Sequence, residues 1–377
     1  MKPYKTCTSC VMDSSDSKIS FDKNGKCDHC QLYEKTILPK WNQGKGHKDE
    51  LDKIVKALKK AGKGKDFDCI LGMSGGIDSS YLLYLTVKKL GLRPLVFHVD
   101  GGWNSQIAVN NIEKLVDGLG VDLFTEVIDW EEMKDLQRAF FRSGISHIDT
   151  PQDHAFFATM YKFASKFDVK HIITGVNHST ECIRNPKEWM YYQSDSIQLR
   201  DIHNNFGSNV LKNFPITNIL WHKIYLPYFR GIKTYRLLDL MEYNKEEATQ
   251  FLVDNYGFER YPQKHFESRF TKFYESYWLP ERFGYDTRKV QYSSLIVTDQ
   301  MSRSDALENL KNPSFDSTQI NREFEYIADK LDMSIEELKA CFDMPKKTYQ
   351  DYKHQEAFYN IGAWILRKIG VELGGKR

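Results

Sequence analysis

The stretch 71–80, which reads Leu-Gly-Met-Ser-Gly-Gly-Ile-Asp-Ser-Ser, constrains the fold more than any other part of the chain. The apolar run 67–71 predicts a short buried strand before the turn, and the apolar run 81–87 predicts a buried helix after it. A Gly- and Ser-rich turn of this kind suits an anion, because glycines let backbone N–H groups approach it and the helix N-terminus adds its dipole. The sequence therefore predicts a phosphate-binding loop at a strand–helix junction.

The loop lacks the Gly-Lys-Ser/Thr of a Walker loop. Its pattern Ser-Gly-Gly-x-Asp-Ser resembles the pyrophosphate-binding loop (PP-loop) of the ATP pyrophosphatases; the alternative is a Gly-rich turn without a ligand. The resemblance implies that ATP is bound through loop residues, which are Ser74, Gly75, Gly76, Asp78, Ser79 and Ser80.

Strands and helices alternate beyond the loop. Further strands are predicted at 93–100 and 123–127, a fourth strand with its exit turn at 171–175, and a late strand at 226–228 with an exit loop at 231–234. Helices are predicted at 107–119, 131–142 and 153–166. The alternation predicts an α/β fold with a doubly wound parallel sheet, which together with the loop resembles the HUP-like fold of PP-loop ATP pyrophosphatases. Ligands of such sheets bind beyond the carboxyl ends of the strands, where the polar clusters of this chain fall.

Polar residues after the second and fourth strands form the predicted nucleotide site. Thr174 and Gly175 allow close approach of a nucleotide, and Asp100 either contacts ribose or metal or caps the following turn. Glu181 is predicted to hold Mg²⁺ with Asp78, since hard cations take carboxylate oxygens and bridge phosphates. The alternative for Glu181 is a carboxylate in the first turn of a helix.

Other polar residues near the strand ends are candidates for catalysis or substrate binding. Gln152, Asp153 and His154 open a helix on the same side of the sheet, as cleft residues or as a solvated first turn. Lys233 is a candidate to neutralise phosphate charge, and a solvated lysine is the alternative. Further substrate-binding candidates in the strand-end turns are Trp103, Asn104 and Asn177.

Four of the seven cysteines lie in the first thirty residues, as Cys7-x-x-Cys10 and Cys27-x-x-Cys30. Each pair supplies two thiolates from one tight turn, so together they predict a closed, structural Zn²⁺ site. A redox or iron–sulfur centre is the alternative. A module of about 45 residues has little core of its own, and metal is therefore expected to provide much of its stability.

Beyond about residue 240 the pattern becomes helical, and the stretch 264–290 interleaves basic residues with aromatics. His265, Arg269 and Lys272 recur at i, i+4 and i+7, which predicts one basic helical face. We expect this stretch to line a pocket for a polyanion such as a nucleotide sugar or a sugar acid; a solvated charged face is the alternative. The substrate-binding candidates here are Lys264, His265, Glu267, Arg269 and Lys272.

Length and charge bound the class of protein. The 377 residues suffice for three predicted domains, a zinc ribbon at 1–45, a PP-loop domain at 46–240 and a helical substrate or partner region at 241–377. A net charge of +2 gives no support to a nucleic-acid role. There is neither an apolar run long enough to span a membrane nor a signal-peptide core, so we expect a cytoplasmic protein without membrane association.

Several motifs together carry a more specific resemblance. They are Cys7-x-x-Cys10-Val11-Met12-Asp13, Phe21-Asp22-x-x-Gly25-x-Cys27-x-x-Cys30, the loop 72–81, His98-Val99-Asp100-x-Gly102-Trp103-Asn104-Ser105, Thr174-Gly175-x-Asn177-x-x-Thr180-Glu181, 264–271 and Phe283-Gly284-Tyr285-Asp286. With these motifs the chain resembles the N-acetyl sugar amidotransferase family of bacterial surface-polysaccharide and nonulosonic acid pathways. Gly101 stands where the family pattern has Ala, which is a small change.

The resemblance implies an ATP-dependent carbon–nitrogen ligase of lipopolysaccharide O-antigen biosynthesis. Such an enzyme converts an acetamido group of a sugar to an acetamidino group through an adenylated intermediate, with Mg²⁺ bound. Neither Cys69 nor Cys182 lies in the Gly-x-Cys-x-Gly elbow of a glutaminase. We therefore expect ammonia from a separate subunit. The resemblance implies that this subunit is a glutamine amidotransferase (glutaminase) and that a cyclase-like subunit channels the ammonia.

Two other classes of function remain open. One is a PP-loop tRNA-modifying enzyme of the thiolation or lysidine type, although sulfur transfer usually needs a catalytic cysteine pair and only Cys69 and Cys182 are available. The other is a nonenzymatic nucleotide-binding scaffold.

Overall fold

A single five-stranded parallel sheet organises the chain. The structure is a computed structural model that describes residues 4–368; residues 1–3 and 369–377 of the first and last predicted domains lie outside the described residues. The strands are β1 Cys69–Gly72, β2 Pro94–Asp100, β3 Leu123–Val127, β4 His171–Ile173 and β5 Lys233–Tyr235. Their order is β3-β2-β1-β4-β5, and all neighbours are parallel. The predicted fold class is confirmed.

Helices fill most of the remaining described chain. The α-helices are α1 Asp28–Leu32, α2 Leu38–Trp41, α3 Lys48–Ala61, α4 Ile77–Tyr84, α5 Gln106–Leu119, α6 Trp130–Ser143, α7 Thr150–Lys166, α8 His178–Glu181, α9 Ser196–Phe206, α10 Lys245–Tyr256, α11 Arg269–Phe273, α12 Arg288–Val297, α13 Arg303–Lys311, α14 Ile320–Lys330, α15 Ile335–Asp343 and α16 Glu356–Lys368. Segments of π-helix are Tyr33–Ile37, Leu85–Lys89, Trp221–Phe229 and Tyr274–Phe283, and 3₁₀ turns are Asn42–Gly44, Leu237–Leu240 and Tyr349–Asp351. Within residues 4–368, no helix combines the length and the apolar composition that a bilayer span requires.

The sheet is covered on both faces, because its side chains alternate between two cores. Cys69 and Leu71 of β1 are fully buried in one core, which also holds Leu252 of α10. Ile70 of the same strand is buried in the other core with Phe270 of α11. Side chains buried on both sides are typical of a central strand in a parallel sheet.

The C-terminal helices therefore pack on both faces of the sheet, α10 on one and α11, α14 and α15 on the other. The division at residue 240 stays a prediction, since both cores include residues from either side of it.

One predicted element is wrong. The sequence 226–228 was expected to form a late strand, but it lies in the π-helix Trp221–Phe229. Aromatic rings spaced four residues apart stack along that helix, with centroids of Trp221 and Tyr225 4.4 Å apart. The helical spacing of the aromatic residues therefore determines the local structure more than the short apolar run does. The strand β5 follows this helix.

Candidate active site

The PP-loop pattern forms the turn between β1 and α4 at the carboxyl edge of the sheet. Gly75 has a φ of +84°, and a Cβ there would lie 2.9 Å from the carbonyl oxygen of Ala108, so glycine alone fits without strain. Ser74 Oγ accepts a hydrogen bond from the Gly76 N–H at 3.2 Å, and Ser79 Oγ donates to the Gly76 carbonyl at 3.1 Å. None of the described side chains caps α4, which leaves N–H groups of its first turn for an anion.

Asp78 lies in the first turn of α4 and is held by three neighbours. Its Oδ1 accepts from the Tyr243 hydroxyl at 2.6 Å, and its Oδ2 accepts from Thr180 at 3.3 Å and lies 3.5 Å from Lys264 Nζ. Burial opposes ionisation, but the charge of Lys264 and these hydrogen bonds hold the pKa of Asp78 below its usual value. Asp78 thus ties the loop to α8 and to the segment before α11.

Lys264 bridges the two carboxylates that the sequence assigns to Mg²⁺. Its Nζ lies 2.6 Å from Glu181 Oε1 and 3.5 Å from Asp78 Oδ2. Although burial disfavours the ammonium, Glu181 and Asp78 raise the pKa of Lys264, so it stays charged. Glu181 keeps about a third of its side chain exposed, and it is the member of this group that is open to a cation.

Glu267 faces the loop from the opposite wall. A Cβ placed on Gly76 would lie 1.9 Å from Oε1 of Glu267. Burial raises the pKa of Glu267, and the nearby charges of His265 and Lys264 counteract that rise. The second glycine of the loop is therefore needed for this close approach as well as for an anion.

A cavity of about 750 Å³ opens beside the loop. It lies beyond the carboxyl ends of β1, β2 and β4, where the chain order of the sheet reverses, which is the usual ligand position in doubly wound sheets. Residues from five parts of the chain line it: 72–74, 97–104, 149–160, 176–194 and 264–294, with Arg236 at one side.

One side of the cavity carries buried acids. Asp149 accepts from Thr271 at 2.7 Å, and Asp153 accepts from Gln193. Burial raises the pKa of Asp153 to about 7 and that of Asp149 well above its usual value. Close to these acids, Nδ1 of His265 lies 3.0 Å from Oε1 of Glu275. Burial disfavours the charged imidazole, but Glu275 raises the pKa of His265 to about 9. This side can donate and accept protons near neutral pH.

The structure brings only part of the predicted site together. Predicted residues that line the cavity are Ser74, Asn104, Gln152, Glu181, Lys264, His265 and Glu267. Gly75, Gly76, Asp78 and Ser79 form the loop and α4 start beside it. Gly175 packs against this loop, since a Cβ there would lie 3.1 Å from the Ser79 nitrogen, while Thr174 pairs its N–H with the Tyr235 carbonyl.

Three residues predicted to bind substrate face away from the cavity. Arg269 bonds Glu323 at 3.1 Å and Lys272 lies 3.9 Å from the same carboxylate. The predicted basic face does not form, because α11 begins at Arg269 and His265 precedes it with a φ of +68°. Trp103 is fully buried in the core, and its indole N–H donates to Gln137.

Four further predictions are corrected by burial and hydrogen bonding. His154 is fully buried between the Gln193 carbonyl and the Thr217 N–H, and Asn177 caps α8. Ser80 is fully buried. Asp100 accepts from the Gly102 N–H at 2.8 Å, which is the turn-capping alternative. None of these four side chains lines the cavity.

Lys233 is the largest correction. It begins β5, opposite His171 at the start of β4, so it lies at the amino edge of the sheet. The cavity lies at the opposite, carboxyl edge, and the side chain of Lys233 is exposed to solvent. A catalytic role for Lys233 is therefore excluded by its position.

Sequence reasoning missed several residues of the site. One of them is Asp149, which stands four residues before the cleft candidate Asp153, and this i, i+4 spacing could have paired the two acids on one helical face. Arg184 follows Glu181 by three residues, in the segment already assigned to the strand end. Glu275 carries no signal in the sequence, because its contact with His265 is made by the loop before α11.

The four N-terminal cysteines form a second centre. Cys7, Cys10, Cys27 and Cys30 are buried, and their sulfur atoms all lie within 4.8 Å of one another. The Cys7–Cys30 and Cys10–Cys27 sulfur distances are 3.9 and 3.7 Å. A tetrahedron with Zn–S bonds of about 2.3 Å has edges of about 3.8 Å, so the residues present fit a closed Zn²⁺ site.

This cysteine module supports one wall of the cavity. Arg303 of α13 donates to the carbonyls of Cys7 and Cys10 at 2.7 and 3.0 Å. Ile183 and Val290 pack against the cysteine cluster and also line the cavity. Loss of metal is therefore expected to disturb that wall.

The fold and loop define the chain as an α/β protein of the PP-loop type. Residues 267–366 match the family model described as "LPS biosynthesis protein WbpG-like, C-terminal domain". This match covers about a quarter of the chain and confirms the predicted resemblance for that part, which is similar to a WbpG-like C-terminal domain. A comparison with curated proteins finds no match.

Solved structures that resemble the chain include three synthetases. An NMN synthetase from Francisella tularensis is 17% identical, covers 58% of this chain and 89% of its own, and has a TM-score of 0.28. An NH₃-dependent NAD synthetase from Campylobacter jejuni, complexed with nitrate, is 13% identical, covers 80% of this chain and 98% of its own, and has a TM-score of 0.29. An NAD⁺ synthetase from Burkholderia pseudomallei is 17% identical, covers 59% of this chain and 98% of its own, and has a TM-score of 0.27. At these TM-scores the fold assignment rests on the sheet of this chain alone.

Proposed function

We propose that the protein is an ATP-dependent amidotransferase that converts an acetamido group of a nucleotide sugar or sugar acid to an acetamidino group. One observation carries the proposal. The cavity is bounded on one side by Ser74 of the PP-loop and on the other by Glu267, Thr271 and Gln291 of the WbpG-like region. A loop suited to activation by ATP thus faces a region typical of lipopolysaccharide biosynthesis.

The proposed chemistry has two steps. The acetamido oxygen attacks the α-phosphorus of ATP, the bond to the β-phosphate breaks, pyrophosphate leaves, and the amide N–H is released as a proton. Ammonia then adds to the imidoyl carbon, the carbon–oxygen bond breaks, and AMP leaves with the former acetamido oxygen. No covalent enzyme nucleophile is needed, so the enzyme contributes positioning and charge neutralisation.

The residues of the loop wall have matching roles in this proposal. The loop N–H groups and the Ser74 hydroxyl hold the pyrophosphate portion of ATP, and the Lys264 ammonium offsets its charge. Glu181, whose carboxylate is partly exposed, would hold Mg²⁺, and the ion would supply charge neutralisation at the phosphates. Asp78 acts differently from the sequence-based expectation: it positions Lys264 and the loop.

The ammonia source is proposed to be a separate glutaminase subunit with a cyclase-like partner. A glutaminase within this chain would need a reactive thiol. Burial raises the pKa of Cys182 to about 12 and also raises the pKa of Cys69, so both stay protonated. The purified chain is expected to use ammonium salts and not glutamine, and glutamine-dependent turnover by the chain alone would contradict this.

The same two cysteines bear on the tRNA-modifying alternative. Thiolation would require an accessible thiolate near the nucleotide, whereas both thiols are buried. No observation favours this class over the amidotransferase.

The test is release of AMP and pyrophosphate from ATP by the purified chain with Mg²⁺ and ammonium. We expect release with a UDP-linked acetamido sugar or an acetamido sugar acid in a substrate panel, and none with bulk tRNA or without an acceptor. Release that depends on tRNA would replace the proposal with its alternative, and no release with any acceptor would favour a scaffold.

A further inference from the structure

Four basic residues of the 264–290 stretch are already paired with carboxylates. Arg288 lies 2.7 Å from Asp286, and Lys289 lies 2.6 Å from Asp13. Arg269 and Lys272 share Glu323, as described above. An anionic group beyond the reach of the loop and Lys264 must therefore meet other cations.

Arg184 is such a cation. It lines the cavity between α8 and α9, and its side chain is exposed there. Across residues 4–368 its guanidinium makes no hydrogen bond or ion pair, in contrast to those of Arg269 and Arg288. Glu181 is the carboxylate whose charge acts on it, but that group is bonded to Lys264 at 2.6 Å.

More positive charge surrounds Arg184. Arg236 also lines the cavity; it pairs with Asp239 at 2.7 Å, while its buried Nε has no hydrogen-bond partner in the described part of the chain. Burial and the charge of Arg236 lower the pKa of Arg184, and burial and the charge of Arg184 lower that of Lys223. Cations held together in this way repel one another, and an anion would relieve the repulsion.

We propose that Arg184, with Arg236 beside it, binds a phosphate or carboxylate group of a ligand in the cavity. The guanidinium fork suits both anions, because it can donate two parallel hydrogen bonds. The source is either the acceptor, through a nucleoside diphosphate or a sugar carboxylate, or the phosphates of ATP. This proposal deepens the proposed function and takes its choice of ligands from it.

The rest of the cavity lining is compatible with an oriented ligand. Asp149, Asp153 and Glu275 face the same cavity as Arg184. An anionic group is attracted by the arginines, whereas the cation beside these acids, His265, is already paired with Glu275. A ligand with one anionic end therefore has one favoured orientation. Arg184 would then select acceptors with an anionic end.

The experiment is isothermal titration calorimetry of the full chain with four probes: ATP, pyrophosphate, UDP and glucuronate. Arg184→Gln is compared with Arg184→Lys and with Arg260→Gln, an exposed arginine outside the cavity. We expect Arg184→Gln to weaken binding of at least one probe about 10-fold or more, as for a lost charge-assisted hydrogen bond. Arg184→Lys should restore part of the loss, and Arg260→Gln should match the unmodified chain.

The pattern of losses identifies the source. Weaker binding of ATP and pyrophosphate, with unchanged binding of UDP and glucuronate, assigns Arg184 to the phosphates of ATP. The reverse pattern assigns it to the acceptor. Weaker binding of all four probes supports the anion site without identifying the source of the anion. Unchanged affinities in folded Arg184→Gln, or no binding of any probe by the unmodified chain at millimolar concentration, would overturn the proposal. Since these are binding measurements, a failure of AMP release would refute the proposed function and leave the anion site standing.

Discussion

The two walls of the cavity are built by different forces. The loop wall is a contiguous stretch whose shape is set by backbone geometry and short hydroxyl contacts, with Gly75 in a conformation that only glycine adopts easily. The opposite wall comes from distant segments joined by charged pairs, such as His265 with Glu275. The difference teaches that the loop wall is intolerant of any added atom, whereas the opposite wall is sensitive to charge and pH.

The largest effect is expected at the loop. Gly75→Ala adds a Cβ that would lie 2.9 Å from the Ala108 carbonyl oxygen and forces a residue with a side chain into a φ of +84°. We expect AMP release to fall about 100-fold or more, as for a displaced positioning group. Gly46→Ala is the matched control, because Gly46 has a φ of +83° with nothing within 4 Å of a Cβ. Equal losses in both variants would show that strain alone, not the loop, is responsible.

The next effect is expected in the cysteine module. It should affect the two walls of the cavity to different degrees. Cys27→Ser is expected to lower the zinc content measured by atomic absorption and to lower the melting temperature, because thiolate–metal bonds stabilise the module. Binding of acceptor should weaken more than binding of ATP, since Ile183 and Val290 join the cysteine cluster to the cavity wall. Cys341→Ser, at a buried cysteine outside the cluster, serves as control. Full zinc content in Cys27→Ser would contradict the assigned ligand set.

A smaller effect is expected from pH on the acidic side. Burial raises the pKa of Asp153 from an ordinary value of 3.8 to about 7. Between these values the folded chain keeps a proton that the unfolded chain has lost, so this residue makes stability fall as pH rises through that window. In Asp153→Asn this pH-dependent part of the stability should vanish. Melting temperatures of the variant and of the unmodified chain, measured at pH 5 and pH 8, would reveal the difference. Parallel pH profiles for the two would contradict the raised pKa.

The smallest effect is expected at Lys233. Because this exposed residue lies at the amino edge of the sheet, Lys233→Ala should change neither AMP release nor the melting temperature by a measurable amount. A loss of turnover comparable to that of Gly75→Ala would place Lys233 in the site after all.

Local rules made the sheet and the loop predictable. Four strands were placed within two residues of their bounds, because apolar runs flanked by glycine and polar turns are local signals. The cysteine cluster was equally predictable, since its ligand spacing lies within the chain segment that folds around it.

The opposite wall could not be predicted, because its composition depends on tertiary pairing. Arg269 and Lys272 match the expected basic face by spacing, yet Glu323 from a distant helix neutralises both. Lys264 was expected to bind substrate and instead bridges Glu181 and Asp78, a contact that no local pattern encodes. Arg184 became a candidate only once its lack of a partner could be seen.

The most direct test of the central claim follows the acetamido oxygen. An acceptor sugar labelled with ¹⁸O in its acetamido carbonyl is incubated with the chain, ATP, Mg²⁺ and ammonium, and the nucleotide is analysed by mass spectrometry. Adenylation of the amide predicts that the label appears in AMP and is absent from the amidine product. Retention of the label in the sugar, or AMP without it, would contradict the account.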